Sequence, residues 1–273
     1  MRNKNIKSFI LIPLVVFNLI PFIWLCIGSF LPNTYSDRGI SIPTFDRLTF
    51  NNYFELSNNL SFFIYLKNTI IVSFFSSFFV TSASTLSAYG LTRFFKRYIS
   101  ISEIFVIFGY LLSPIILVFP YAVILKYLGL MGSLFGLILA NTAFCFPFSF
   151  FLMLRYMQNI SEKYDQSASM DGATWWQTLI YIILPRALPG VVAVSIFSFI
   201  LAWNDVALSK ILANQDTMTL AAGVKEKILD IEQTQYGLFA AASILVTLIA
   251  ILVFGFMQFW IDERLKKESS SHI

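Results

Sequence analysis

Few side chains in this sequence have the chemistry to transform a substrate, and their spacing restricts them further. The single histidine, His272, lies in the C-terminal tail with no second ligand nearby, so no metal site is expected. Cys26 and Cys145 both lie deep in apolar runs, where thiols serve as small, reduced packing residues. No G-x-x-x-x-G-K-[ST] loop occurs, which leaves the chain without a recognisable way to bind ATP. Nor do His, Asp and Glu cluster in a way that suits acid–base work. Two carboxylates that border apolar runs, Glu103 and Asp205, are the candidates for a titrating group. Asp205 follows Trp203 and Asn204, and an aromatic face beside an amide and a carboxylate suits sugar recognition or the docking of a receptor. The long uncharged run after Arg186 places this triplet near the outer end of a span, where Trp203 equally suits an interfacial belt.

The elements that hold these residues follow from composition. The chain has 273 residues, 57% hydrophobic, 17% aromatic and 12% charged, whereas about a quarter of the residues in a soluble domain are charged. A soluble enzyme, a disordered regulator and a disulfide scaffold are excluded. Crossing a bilayer takes about 20 apolar residues, and the charge-free stretches predict six spans near 9–31, 68–92, 104–125, 133–154, 187–208 and 237–261. They must be helical, because lipid-exposed backbone has to satisfy its own hydrogen bonds and no barrel-like alternation is present. Arg2, Lys4 and Lys7 precede the first run as in a secretory signal, but the run is too long and lacks a small-x-small closure, so it reads as an anchor.

Basic residues assign the sides. Of 19 lysines and arginines, 12 fall on the side of the termini (Arg2, Lys4, Lys7, Arg93, Lys96, Arg97, Arg155, Lys163, Arg186, Arg264, Lys266 and Lys267). Seven fall opposite: Arg38, Arg47, Lys67, Lys126, Lys210, Lys225 and Lys227. The expected protein is therefore an all-α integral membrane protein with cytoplasmic tails at 1–8 and 262–273 flanking a six-span domain at 9–261. The net charge of +4 reflects this sidedness rather than a nucleic-acid partner.

The loop 155–190, between spans four and five, is the most informative segment. It reads as two short helices: one starting after Ser161 and covering Tyr164 to Met170, then a sharp turn at Gly172, then one capped by Thr174 and running through Leu184. Pro185 and Pro189 are expected to break that second helix before the fifth span. In the second span Ser73, Ser77, Thr81, Ser84 and Ala88 form a small, hydroxylated stripe expected to pack against another subunit. Pro114, Pro120 and Pro147 are expected to kink spans three and four. The outer segment Ala213 to Gly237, with Lys225, Glu226, Lys227, Asp230 and Glu232, reads as a solvated helix.

The run Asp165-Gln-Ser-Ala-Ser-Met-Asp171-Gly172-Ala173, followed by Ile183-Leu184-Pro185 and Pro189, resembles the EAA loop of bacterial ABC importer permeases. Leu48-Thr-Phe-Asn-Asn-Tyr53, Asn68-Thr69, Ala88-Tyr-Gly-Leu-Thr-Arg93 and Phe197 to Asp205 are similar to recurring pieces of the carbohydrate class, in particular the MalG-like subunit of maltose-type transporters. The resemblance implies one six-span half of a heterodimer with a MalF-like permease, served by an extracytoplasmic sugar-binding protein and driven by two ATPase subunits that carry the ATP and Mg. It also implies that Asp165, Gln166, Ser167, Ala168, Asp171, Gly172, Ala173, Leu184 and Pro185 belong to the ATPase-coupling loop, with Ala168, Gly172 and Ala173 as contact residues. A loop between the last two spans would dock the binding protein. The chain itself is then not an enzyme and holds no cofactor.

Two departures qualify the pattern. Gln166-Ser167-Ala168 stands where the family has Glu-Ala-Ala, which keeps hydrogen bonding but removes a charge. The C-terminus ends Arg264-Leu-Lys-Lys-Glu-Ser-Ser-Ser-His-Ile273, without the glycine-rich regulatory tail of many maltose-type subunits. The rival expectation is an ion-coupled secondary transporter using Asp205 or Glu103; paired broken helices in an inverted repeat would favour it, and no internal repeat is found.

Overall fold

The computed structural model describes residues 2–32, 48–59, 61–226 and 235–270. Arg38, Arg47, Lys227, Asp230, Glu232 and His272 lie outside the described residues. Within them every regular element is helical: α1 (Arg2–Ser29), α2 (Asn51–Asn59), α3 (Phe62–Arg93), α4 (Ile99–Leu111), α5 (Pro114–Tyr127), α6 (Leu134–Gln158), α7 (Lys163–Met170), α8 (Trp175–Gln177), α9 (Leu184–Trp203), α10 (Ala207–Leu212), α11 (Leu220–Val224) and α12 (Tyr236–Ser270). Four continuous helical stretches among the described residues are long and apolar enough to cross a bilayer: Phe62–Arg93, Leu134–Gln158, Trp175–Trp203 and Tyr236–Val253.

Two expected spans differ in form. The third, 104–125, is not one helix: α4 and α5 meet at a bend of 97°. Pro114 opens α5 without an N–H, and Ser113 before it is extended, with φ −64° and ψ 142°, because the proline ring disfavours helical backbone at the preceding residue. The fifth, by contrast, begins earlier in the chain than 187–208 and ends sooner. Pro185 and Pro189 do not break it; Trp175–Trp203 runs as one 29-residue stretch. A π-helical segment, Thr178–Ile183, precedes α9. The Leu184 N–H there reaches back five residues to the Leu179 carbonyl, and Arg186 Nη1 donates to the Ile182 carbonyl at 2.8 Å. The wider turn admits the proline, which has neither a hydrogen to give nor room in a regular turn.

The chain divides into two compact units, Phe63–Gly223 and the combination of Met1–Phe62 with Val224–Ile273. In the first, one apolar cluster joins α3, α4, α6, the π segment and α9 through Tyr89, Val106, Met153, Met157, Ile183 and Val194. A second joins α3, α5, α6 and α10 through Val72, Val118, Leu137 and Leu208. Against lipid, apolar burial between helices brings little hydrophobic gain, so close packing and hydrogen bonds decide which faces meet. Gly190 shows the closeness: a Cβ there would lie 2.5 Å from Tyr156 Cγ on α6.

The stripe of the second span is buried within the chain itself, not left open for another subunit as expected, and two of its hydroxyls are bonded to α9. Ser77 Oγ donates to the Ser195 carbonyl at 2.7 Å and accepts from Ser198 Oγ, while Thr81 and Ser195 share a hydroxyl contact at 3.1 Å. The Asn68-Thr69 pair is likewise a fastening: Asn68 Nδ2 donates to the carbonyls of Asp216 and Met218 at 2.8 and 3.0 Å, and Thr69 Oγ1 accepts from Leu220 N at 2.7 Å.

In the other unit α12 packs on α1 and α2. Asn52 Nδ2 donates to the Ser29 and Leu31 carbonyls at 2.9 and 2.7 Å, satisfying the end of α1, where carbonyls have no partner within the helix.

Asn68→Ala is expected to leave buried carbonyls unpaired and to cost about 1–3 kcal/mol, read as a lower thermal midpoint of the detergent-solubilised protein. Leaving the midpoint unchanged would contradict the fastening role.

Candidate functional site

The segment from 163 to 186 is built from two helix-end motifs placed back to back. α7 stops in a Schellman arrangement: Gly172 N–H donates to the Ser169 carbonyl at 3.1 Å and Ala173 N–H to the Ala168 carbonyl at 3.0 Å. Closing these bonds requires left-handed backbone at one residue, and Gly172 has φ +79°, a conformation glycine adopts without the Cβ penalty. The Asp171-Gly172-Ala173 core is thus a helix stop. One residue later Thr174 starts the next helix with a capping box: its N–H donates to Gln177 Oε1 at 2.8 Å, and its hydroxyl accepts from Gln177 N. α8, the π segment and α9 follow without interruption.

The first helix is fixed to the C-terminal end of α3. Arg93 Nε donates to Asp165 Oδ2 at 2.8 Å, with side chains only 7% and 19% exposed. Tyr89 Oη donates to Asp165 Oδ1 at 3.0 Å, and Arg93 Nη2 to the Ile160 carbonyl at 3.0 Å. Arg186, at the start of α9, lies 4.1 Å over the Tyr164 ring. Lys96 pairs with Glu162 in the open; its hydrogen bond holds that carboxyl below its usual range. The contribution is complete above the ordinary carboxylate range and disappears as pH falls through the lowered value, and exposure keeps it small. A cavity of about 480 Å³ opens beside this joint, lined by Tyr89, Arg93, Asp165, Gln166, Ser169 and Trp175 among others.

The expected loop residues therefore have distinct places. Asp165 is engaged from within the chain. Gln166, Ser167, Asp171, Gly172 and Pro185 are exposed, and Ala173 and Leu184 are half-buried. Ala168, expected as a contact residue, is 3% exposed and packs inside, so its small size serves the closeness of the helix to its own chain. The most open large apolar side chain of the segment is Met170, 89% exposed at the last turn of α7.

The triplet Trp203-Asn204-Asp205 does not form a shared recognition surface. Trp203 is buried, stacked on Phe199 with centroids 5.6 Å apart, so it is not a belt aromatic. Asn204 folds back onto the Ile200 carbonyl. The Asp205 carboxylate caps α10, accepting from Leu208 N at 3.1 Å and Ser209 N at 3.0 Å. Glu103, the other carboxylate, is paired with Arg155 at 3.2 Å.

This helical chain has known counterparts. The family model described as binding-protein-dependent transport system inner membrane component matches residues 1–267. The chain belongs to this family. Among its relatives, the diacetylchitobiose uptake system permease protein NgcG of Streptomyces coelicolor is 30% identical, over 92% of this chain and 83% of that one. The trehalose/maltose transport system permease protein MalG of Thermococcus litoralis is 28% identical over 75% of each. A crystal structure of a bacterial ABC transporter involved in the import of the acidic polysaccharide alginate shares the fold, with a TM-score of 0.76 at 20% identity, covering 93% of this chain and 95% of that one.

Sequence reasoning for this inner membrane component used Arg93 to assign sides and left Tyr89, Glu162, Met170 and Trp175 out of the site. The signal for the joint was present: Arg93 closes a long apolar span, and Asp165 is the one acidic residue within the short helix Lys163–Met170. Chain separation hid the match.

Gly172→Ala has open space around its new methyl, so its expected cost of about 1 kcal/mol comes from left-handed backbone alone. Limited proteolysis at the 163–177 loop should rise for Gly172→Ala and less for Gly172→Asn. At the other end Asp205→Ala is expected to lose about 1 kcal/mol of capping and Asp205→Ser to retain most of it, by thermal unfolding.

Proposed function

We propose that this permease forms one half of the transmembrane path of an ABC importer for a sugar or related polyol, pairing with a MalF-like subunit and receiving cargo from an extracytoplasmic sugar-binding protein. ATP and Mg belong to two partner ATPase subunits, which meet this chain at the loop 155–190. In this reading six spans cross the membrane and both termini are cytoplasmic. The carbohydrate class draws support from relatives whose names specify diacetylchitobiose and trehalose/maltose uptake.

The observation that carries the coupling role is the stiffness of the protrusion. α7 ends in a satisfied stop, the next helix begins in a satisfied box, and the second arm is continuous with a span. A force applied at the tip then reaches the membrane helix without a loose joint. Met170, with Gly172 beside it, supplies an exposed apolar tip for a partner's cleft. Gln166 brings no charge to that contact, so recognition rests on shape and hydrogen bonds. The ion-coupled alternative is weakened by the two carboxylates it needs: Glu103 is paired and Asp205 is engaged by backbone amides.

Cysteine introduced as Ser169→Cys, on the exposed face of α7 beside Met170, should cross-link to the co-expressed ATPase in a complex that still transports. In vesicles, uptake should require internal ATP and survive collapse of the proton gradient. Absence of a specific adduct in an active complex would remove the coupling role, and opposite energy dependence would establish ion coupling instead.

A further inference from the structure

The protrusion has a second connection to the membrane helices that the coupling reading does not use. Its second arm runs into α9 through the backbone. Its first arm, α7, is parted from α6 by the turn at 159–162, and across that break in the helix Asp165 in its first turn is held from two directions by α3: Arg93 Nε on one carboxylate oxygen and Tyr89 Oη on the other. Arg93 further binds the Ile160 carbonyl, in the turn leading into α7. A carboxylate accepting a guanidinium N–H and a phenol O–H on separate oxygens is fixed in direction as well as distance. Because the pair is largely removed from solvent, opening it would leave a charge without compensation. Tyr89 and Arg93 lie four residues apart and so share one face of α3, and Tyr89 is also part of the apolar cluster containing Met157 and Ile183.

We infer that Arg93 and Tyr89 are positioning residues of the coupling apparatus, joining α7 to the C-terminal end of α3 so that the two move as one body. The inference rests on the coupling reading. Displacement of the tip is then delivered to two spans at once: to α9 along the continuous helix, and to α3 through the Asp165 joint. The hydroxyl contacts between Ser77, Thr81, Ser195 and Ser198 bind those same two spans to each other farther along, so the loop and both spans form a braced frame. Without the joint, α7 would hang on its turns and the frame would lose one side.

Spin labels at Leu86→Cys on α3 and Lys163→Cys on α7, in a Cys26→Ser, Cys145→Ser background, test this in the complex assembled with its ATPase. The probes are ATP-Mg and orthovanadate, which need no knowledge of the cargo. With Arg93 and Tyr89 intact, the distance distribution should be narrow and the same in nucleotide-free and vanadate-trapped complexes. Arg93→Met should shift it on trapping or broaden it about twofold, as expected when a packed joint with discrete arrangements is released. Exchanging the pair, Arg93→Asp with Asp165→Arg, should narrow it again. A distance that changes on trapping in the parent protein, or an Arg93→Met distribution matching the parent, would overturn the joint. Should Arg93→Met fail to assemble, Asp165→Asn, nearly unchanged in size, decides by the same measurement. Loss of the coupling reading is seen separately, as a missing Ser169→Cys adduct with the ATPase.

Discussion

Every helix end in this chain has to find partners for backbone groups that the helix itself cannot satisfy, in surroundings where water is scarce. Much of the polar chemistry answers that constraint. Asn52 takes up the carbonyls after α1, Asn68 and Thr69 hold the turn that leads into α11, and Asp205 supplies acceptors to the amides of α10. Thr174 and Gln177 serve each other. These polar residues are fastenings at places where the chain turns. A polar side chain at such a turn is hard to replace, since its loss strands a backbone group as well.

The same constraint explains what could be read from the sequence. Apolar runs fix where helices lie, because an uncharged stretch has few other options, and the four described stretches long enough to cross a bilayer each overlap an expected run. Local punctuation was legible too: Gly172 and Thr174 act where their types say they should, since caps and stops are decided by residues within one turn. What could not be read depended on distance along the chain or on competition between neighbours. Pro185 and Pro189 signal a break by themselves, but a π segment absorbs the first and the helix continues. Pro114 ends its segment more sharply than a kink, through the extended backbone of Ser113.

Site residues divide along the same line. That Asp165 matters was visible in the pattern; that it is occupied by Arg93 was not, because the two are 72 positions apart. Trp203-Asn204-Asp205 looked like a recognition triplet because adjacent residues share chemistry on paper. At a helix terminus, adjacent side chains point in different directions, and here one goes inward, one back along the helix and one forward to the next.

The π segment at Thr178–Ile183 has a geometric consequence for the arm that carries Trp175 and Trp176. An extra residue in one turn advances everything before it by about 100° around the helix axis relative to an uninterrupted α-helix. The stacked tryptophan pair and the buried face of α9 are therefore out of phase with each other, each presenting its own azimuth although the backbone is continuous. One helix can in this way serve two environments with different facing requirements, and the rotation between them is set by a single residue of helical register.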